Sequence, residues 1–101
     1  MEKLKPHYPL DDIKAAFADS AALNRSYTSR QGIDDLGLDE GDVVAVIQAL
    51  TLSDFDKSMT SLADHKVWQD VYKPMRDGRK LYVKFTMDAR RTLFLISFKE
   101  A

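Results

Sequence analysis

Apolar residues recur at helical spacing along the first half of the chain and alternate along the second. Leu10, Ile13, Ala16 and Phe17 follow the helical period. Pro9-Leu10-Asp11-Asp12 ahead of them reads as a helix start, with proline and acids in the first turn, and the helix is expected to run to about Ala18. Residues 24–28 read as a short link or an edge strand. Ser29 is placed to cap a brief helix through Leu36 that Gly37 would end. Asp39 is placed to cap the next, where Val43, Val44, Val46, Ile47 and Leu50 make the apolar face.

After Phe55 the pattern is strand and turn. Strands are expected near 57–63, 67–75, 79–87 and 92–99, with turns at Asp64-His65-Lys66, Asp77-Gly78 and Ala89-Arg90. Asp-Gly between alternating runs is the strongest short hairpin signal. The fold class is α+β: N-terminal helices packed on a C-terminal antiparallel β-meander, one domain over residues 1–101.

The turns set a register. A two-residue loop at Asp77-Gly78 puts Lys73 opposite Tyr82 and Gln69 opposite Thr86. Closure at Ala89-Arg90 puts Tyr82 opposite Ser97 and Lys80 opposite Lys99, and a three-residue loop at Asp64-His65-Lys66 puts Lys57 opposite Lys73. Alternation then sorts the side chains to two faces. One holds Trp68, Tyr72, Leu81, Val83, Phe85, Met87, Phe94, Ile96 and Phe98, and serves as a core for the helices. The other holds Lys57, Gln69, Lys73, Lys80, Tyr82, Lys84 and Lys99, with Met59, Val71, Leu93 and Leu95 among them. Asp70 falls on the apolar face and needs a partner there, because an unpaired buried carboxylate is costly.

Charge sharpens this picture. The net charge is −1, but residues 1–56 carry five Lys/Arg against eleven Asp/Glu and residues 57–101 carry ten against five. A polyanion senses a patch and not a sum, so the basic face is a candidate surface for RNA or another polyanion. A lysine-rich face also serves solvation and protects against edge pairing. Cysteine is absent, so disulfides and thiolate zinc sites are excluded. Neither a signal peptide nor a membrane span is legible, and a cytoplasmic protein without membrane association is expected.

Familiar catalytic constellations are missing. His7 and His65 lie far apart, with no metal-binding spacing, no nucleophilic triad and no glycine-rich phosphate loop. No metal or cofactor is therefore expected. Metal-free RNA cleavage by the substrate's own 2′-OH remains compatible with lysines and a tyrosine. The nucleophile is already beside the phosphate, and the protein need only orient groups, stabilise the phosphorane and assist proton transfer.

Several stretches resemble the MqsR (motility quorum-sensing regulator) family of toxins. They are Met1-Glu2-Lys3, Pro6-His7, Leu36-Gly37-Leu38-Asp39, Ser53-Asp54-Phe55, Lys57-Ser58-Met59-Thr60, Asp64-His65, Trp68-Gln69-Asp70-Val71-Tyr72, Pro74, Tyr82-Val83-Lys84 and Ser97-Phe98-Lys99-Glu100. The resemblance implies a RelE-like fold and ribosome-independent cleavage of messenger RNA at GCU-like triplets. It also implies an antitoxin with a zinc-binding N-terminal domain and a helix-turn-helix domain, through which alone the toxin would meet DNA.

By the same resemblance Lys57, Gln69, Tyr82 and Lys99 are the catalytic candidates, all four on the basic face. Lys57 and Lys99 are candidates for proton transfer and phosphate stabilisation, Tyr82 for donation to an oxygen, and Gln69 for orienting the nucleotide. Lys73, Lys80, Lys84 and Met59 are expected to contact RNA. The chain departs from the family pattern at Asp56, where an aromatic is common, at Lys73, where arginine is common, and in a longer, more basic 88–91 turn. The alternative is a non-catalytic module that binds RNA or an acidic partner on the same face.

Overall fold

Side chains that satisfy the free N–H groups of a first turn decide where two of the three helices begin, and the first starts after Pro9 without such a cap. The computed structural model describes residues 1–101. Helix α1 spans Leu10–Ala16, with Asp11 and Asp12 in its first turn. Helix α2 spans Tyr27–Asp35 and is capped by Ser26, whose Oγ accepts from Ser29 N at 3.1 Å. The expected cap, Ser29, lies instead inside the helix: it is fully buried and its hydroxyl donates to Ser26 O at 2.8 Å. Helix α3 spans Glu40–Gln48, capped by Asp39 as expected, in a reciprocal capping box with Asp42. No helix is long and apolar enough to cross a membrane.

Ser26 also ties α2 to the sheet. Its Oγ donates to Ile96 O at 3.1 Å and its N–H to Leu95 O at 2.9 Å, while Arg25 bridges Leu95 in parallel, so residues 24–28 do reach a strand edge. Ser26→Ala is expected to lower stability by about 1 kcal/mol, the usual cost of a lost N-cap. Urea unfolding would show it as a lower midpoint at an unchanged slope.

The strands are β1 (Glu2–Lys3), β2 (Phe55–Thr60), β3 (Trp68–Tyr72), β4 (Met75–Arg76), β5 (Arg79–Met87) and β6 (Leu93–Glu100). The sheet is antiparallel, running β1-β2-β3-β5, with β4 and β6 also paired to β5. Asp77 and Gly78 both take positive φ, 51° and 79°, as a two-residue hairpin requires. The β3–β5 register follows from that turn, with Tyr72 opposite Val83 and Val71 opposite Lys84.

Two expected registers differ. Residues 61–67 form a longer connection than three residues, so Lys57 faces Val71 and not Lys73. That shift is even, and Lys57 keeps its face. The β5–β6 connection runs over residues 88–92, organised by Asp88, whose Oδ1 accepts from Arg90 N and Thr92 N. Met87 then pairs with Leu93 and Phe85 with Leu95, which turns Leu93 and Leu95 into the core and Phe94 and Ile96 out of it. A bulge at Ile96 of β6, between the Lys84–Ser97 and Phe85–Leu95 pairs, restores parity, so Tyr82 faces Lys99, not Ser97, and Phe98 stays buried.

The core lies between the helices and one sheet face. Ile13, Phe17, Ile33, Val43, Ile47 and Leu50 meet Tyr72, Leu81, Val83, Phe85, Leu95 and Phe98. Asp70 is fully buried on this face and has the partners it needs: Ser58 Oγ donates at 2.6 Å, Tyr8 N at 2.9 Å and His7 N at 3.2 Å. The N-terminal segment is thereby strapped across β2 and β3, which puts Glu2 beside the opposite, basic face.

Candidate active site

Strand alternation builds the basic face row by row. In one row Lys57 faces Val71, and Val71 faces Lys84, which in turn faces Ser97. In the next, Tyr82 faces Lys99. On the other side of the Lys57 row, Met59 faces Gln69. Lys73 and Lys80 extend the face toward Pro74, with Lys80 exposed and Lys73 half-buried. Val71 is fully buried although it points away from the helices, so lysine stems cover it while their ammoniums reach water.

Tyr82 is the centre of the cluster. Lys99 Nζ lies 5.3 Å from its ring centroid and Lys84 Nζ 5.9 Å. Burial raises the Tyr82 hydroxyl above the ordinary phenol value, with the nearby Lys57 charge opposing and Asp56 adding to the rise. The phenol therefore stays protonated near neutral pH and is a proton or hydrogen-bond donor.

The lysines divide by partner. Lys57 Nζ pairs with Glu2 Oε1 at 3.2 Å, and Lys73 Nζ with Asp56 Oδ2 at 3.6 Å. The hydrogen bond and charge of Glu2 push Lys57 above the ordinary lysine value, so it is a fixed ammonium. A bulge between Phe55 and Lys57 allows Phe55 to face the core while Asp56 and Lys57 both reach the basic side. Lys84 and Lys99 have no carboxylate within ion-pair distance. Desolvation first, and the Lys99 charge second, hold Lys84 below the ordinary lysine value.

Of the residues the sequence singled out, the structure brings Lys57, Tyr82, Lys84 and Lys99 together. Gln69 and Met59 lie at one side of them, and Lys73 and Lys80 at the other. Glu2 and the Asp56–Lys73 pair were not anticipated as partners; a two-residue strand such as β1 has no periodicity from which Glu2 could be placed. A hollow of about 450 Å³ lined by Glu2, Lys3, Leu4, Asp56 and Lys57 lies at this end of the site. His65 is exposed on the 61–67 connection. His7 stacks on Trp68 and accepts from Lys3 Nζ at 2.8 Å, apart from the lysine cluster. No three His, Asp or Glu side chains are grouped so as to hold a metal.

The face offers fixed cations, a protonated phenol and an amide, a set suited to an anionic phosphodiester. Comparisons with known proteins agree with that chemistry. The model of the family described as "Motility quorum-sensing regulator, toxin of MqsA" matches residues 5–100. A curated relative, the mRNA interferase toxin MqsR of Escherichia coli (strain K12), is 37% identical over 100 residues, covering 99% of this chain and 99% of that protein.

Proposed function

This chain belongs to the motility quorum-sensing regulator (MqsR) toxin family, and we propose that it is an endoribonuclease toxin that cleaves messenger RNA on the basic sheet face. The observation that carries the reading is the convergence of Lys84 and Lys99 on the Tyr82 ring, with Lys57 alongside. The E. coli relative is by name an mRNA interferase, which supports the same substrate here.

Cleavage proceeds without ribosome or metal, by attack of the 2′-OH on the adjacent phosphorus at GCU-like triplets. Lys57 and Lys99 hold the phosphate and stabilise the charge that builds on its non-bridging oxygens. Tyr82 donates a proton or hydrogen bond to an oxygen of the scissile phosphate, and Gln69 orients the nucleotide. Lys73, Lys80, Lys84 and Met59 contact the RNA, and the Asp56 pairing lowers the share that Lys73 contributes. A cognate zinc-binding helix-turn-helix antitoxin neutralises the activity in the cytoplasm and carries the pair to DNA.

Primer extension on a transcript incubated with purified protein tests this. Cuts at defined triplets are expected, undiminished by EDTA and leaving 2′,3′-cyclic phosphate ends. Loss of cutting in EDTA would overturn the metal-free mechanism. Salt-sensitive binding with the strand left intact would establish the non-catalytic module instead.

A further inference from the structure

We propose that Lys84 is the base of this reaction: its neutral amine takes the proton of the 2′-OH, while Lys57 remains an ammonium on the phosphate. The assignment rests on the endoribonuclease reading above.

Position is the first ground. Lys84 lies on the central strand of the face, opposite Val71 on one side and Ser97 on the other. Gln69 and Lys99 are its diagonal neighbours on β3 and β6, at the spacing of about 7–8 Å usual for such pairs. Tyr82 is two residues away on its own strand, with Lys84 Nζ over its ring. Lys57 lies beyond Val71 in the same row. Lys84 is thus the one lysine surrounded by the other candidates, where a phosphodiester gripped by all of them would be centred.

Partners are the second ground. The groups facing Lys84 are Lys73 and Gln69 from β3, Lys99 and Ser97 from β6, Tyr82 and Thr86 from β5, and Lys57 and Asp56 from β2. The carboxylates on this face, Glu2 and Asp56, are engaged by Lys57 and Lys73. Lys84 itself has no carboxylate at ion-pair distance, and it is half-buried over an apolar row. Such surroundings favour the neutral amine, in the direction noted for Lys84 above. Lys57, with its Glu2 partner, is disposed the opposite way.

The step balances. The Lys84 amine accepts the 2′ proton as the 2′ oxygen bonds to phosphorus and the P–O5′ bond breaks. That bond's electron pair leaves on the 5′ oxygen, which takes the Tyr82 hydroxyl proton. The products are a 2′,3′-cyclic phosphate and a 5′-OH, and the ammonium and phenolate exchange protons with water.

Single-turnover cleavage of a transcript that the wild-type protein cuts, followed from neutral to alkaline pH, tests the assignment with Lys84→Arg. Arginine keeps the charge but does not deprotonate in this range. The variant should bind a 2′-deoxy analogue of the site as wild type does, yet cut at least about a hundredfold more slowly. The wild-type rise in rate with pH should be gone. Cutting by Lys84→Arg at the wild-type rate, or with the wild-type profile, would overturn the proposal and leave Lys84 a binding charge. If arginine does not fit, Lys84→Ala serves. Added ethylamine should then restore cleavage in proportion to its free-base form, and absence of that rescue overturns the proposal equally. A wild-type protein that cuts no RNA would instead remove the endoribonuclease reading itself.

Discussion

Lys57→Ala is expected to slow RNA cleavage by roughly a thousandfold while leaving the fold intact, the upper end of what removing one preorganised oxyanion stabiliser costs. The Lys57 side chain is 38% exposed and pairs only with the exposed Glu2, so the core does not depend on it. Thermal unfolding should move little, whereas transcript cleavage should nearly vanish.

The substitution does more than delete a cation. It leaves the Glu2 carboxylate uncompensated beside the phosphate, so part of the loss is repulsion. Glu2→Gln in the Lys57→Ala background should therefore recover a measurable fraction of the rate, although Glu2→Gln in the wild type acts only by freeing Lys57. Strict additivity of the two substitutions would show that Glu2 does not act through Lys57. A Lys57→Ala protein that cuts RNA normally would remove Lys57 from the site.

How far such a site is legible beforehand depends on which constraints are local. Asp77-Gly78 is local: both residues need positive φ, few other pairs supply it, and the β3–β5 register follows. Tyr82 and Lys84 were placed relative to Lys73 and Gln69 by that turn alone. The other connections are not local. The 88–92 turn is built by Asp88 folding back on Arg90 and Thr92, with Asn24 Nδ2 donating to Asp88 Oδ2 at 3.1 Å from a distant segment.

A two-residue loop there would turn Phe94 and Ile96 inward, where the chain buries Leu93 and Leu95. Four apolar residues in a row, Leu93 to Ile96, give alternation nothing to grip. The bulge beside Lys84 rescued the parity of Lys99 for a reason no periodic pattern contains. Asp70 is the contrary case. A carboxylate among apolar positions announces a need for donors, although not that Ser58 and the backbone of His7 and Tyr8 would supply them. Glu2 announces nothing, because its importance comes only from where that strap lays it.

Gly32→Ala is the other large expected effect, and its sign runs against helix propensity. Alanine in the interior of a helix is ordinarily better than glycine by about 1 kcal/mol. Here a Cβ on Gly32 would lie 1.9 Å from the Phe98 carbonyl oxygen and 3.0 Å from its carbon, both backbone atoms of β6. A rotamer change cannot relieve that clash. Helix α2 must lift from the strand, and Ile33 (2% exposed) and the fully buried Ser29 are carried with it.

Overpacking of this kind costs up to about 3 kcal/mol even after partial relaxation, more than the propensity gain returns. A net loss of roughly 2 kcal/mol or more in urea unfolding is expected. The same movement reaches the site, because the added methyl would also press on Lys99 Cβ at 3.4 Å, next to Phe98. Lys99 faces Tyr82, so cleavage by the folded fraction should fall as well, although Gly32 touches no RNA. Unchanged or increased stability in Gly32→Ala would mean that the α2–β6 contact is looser than this packing requires.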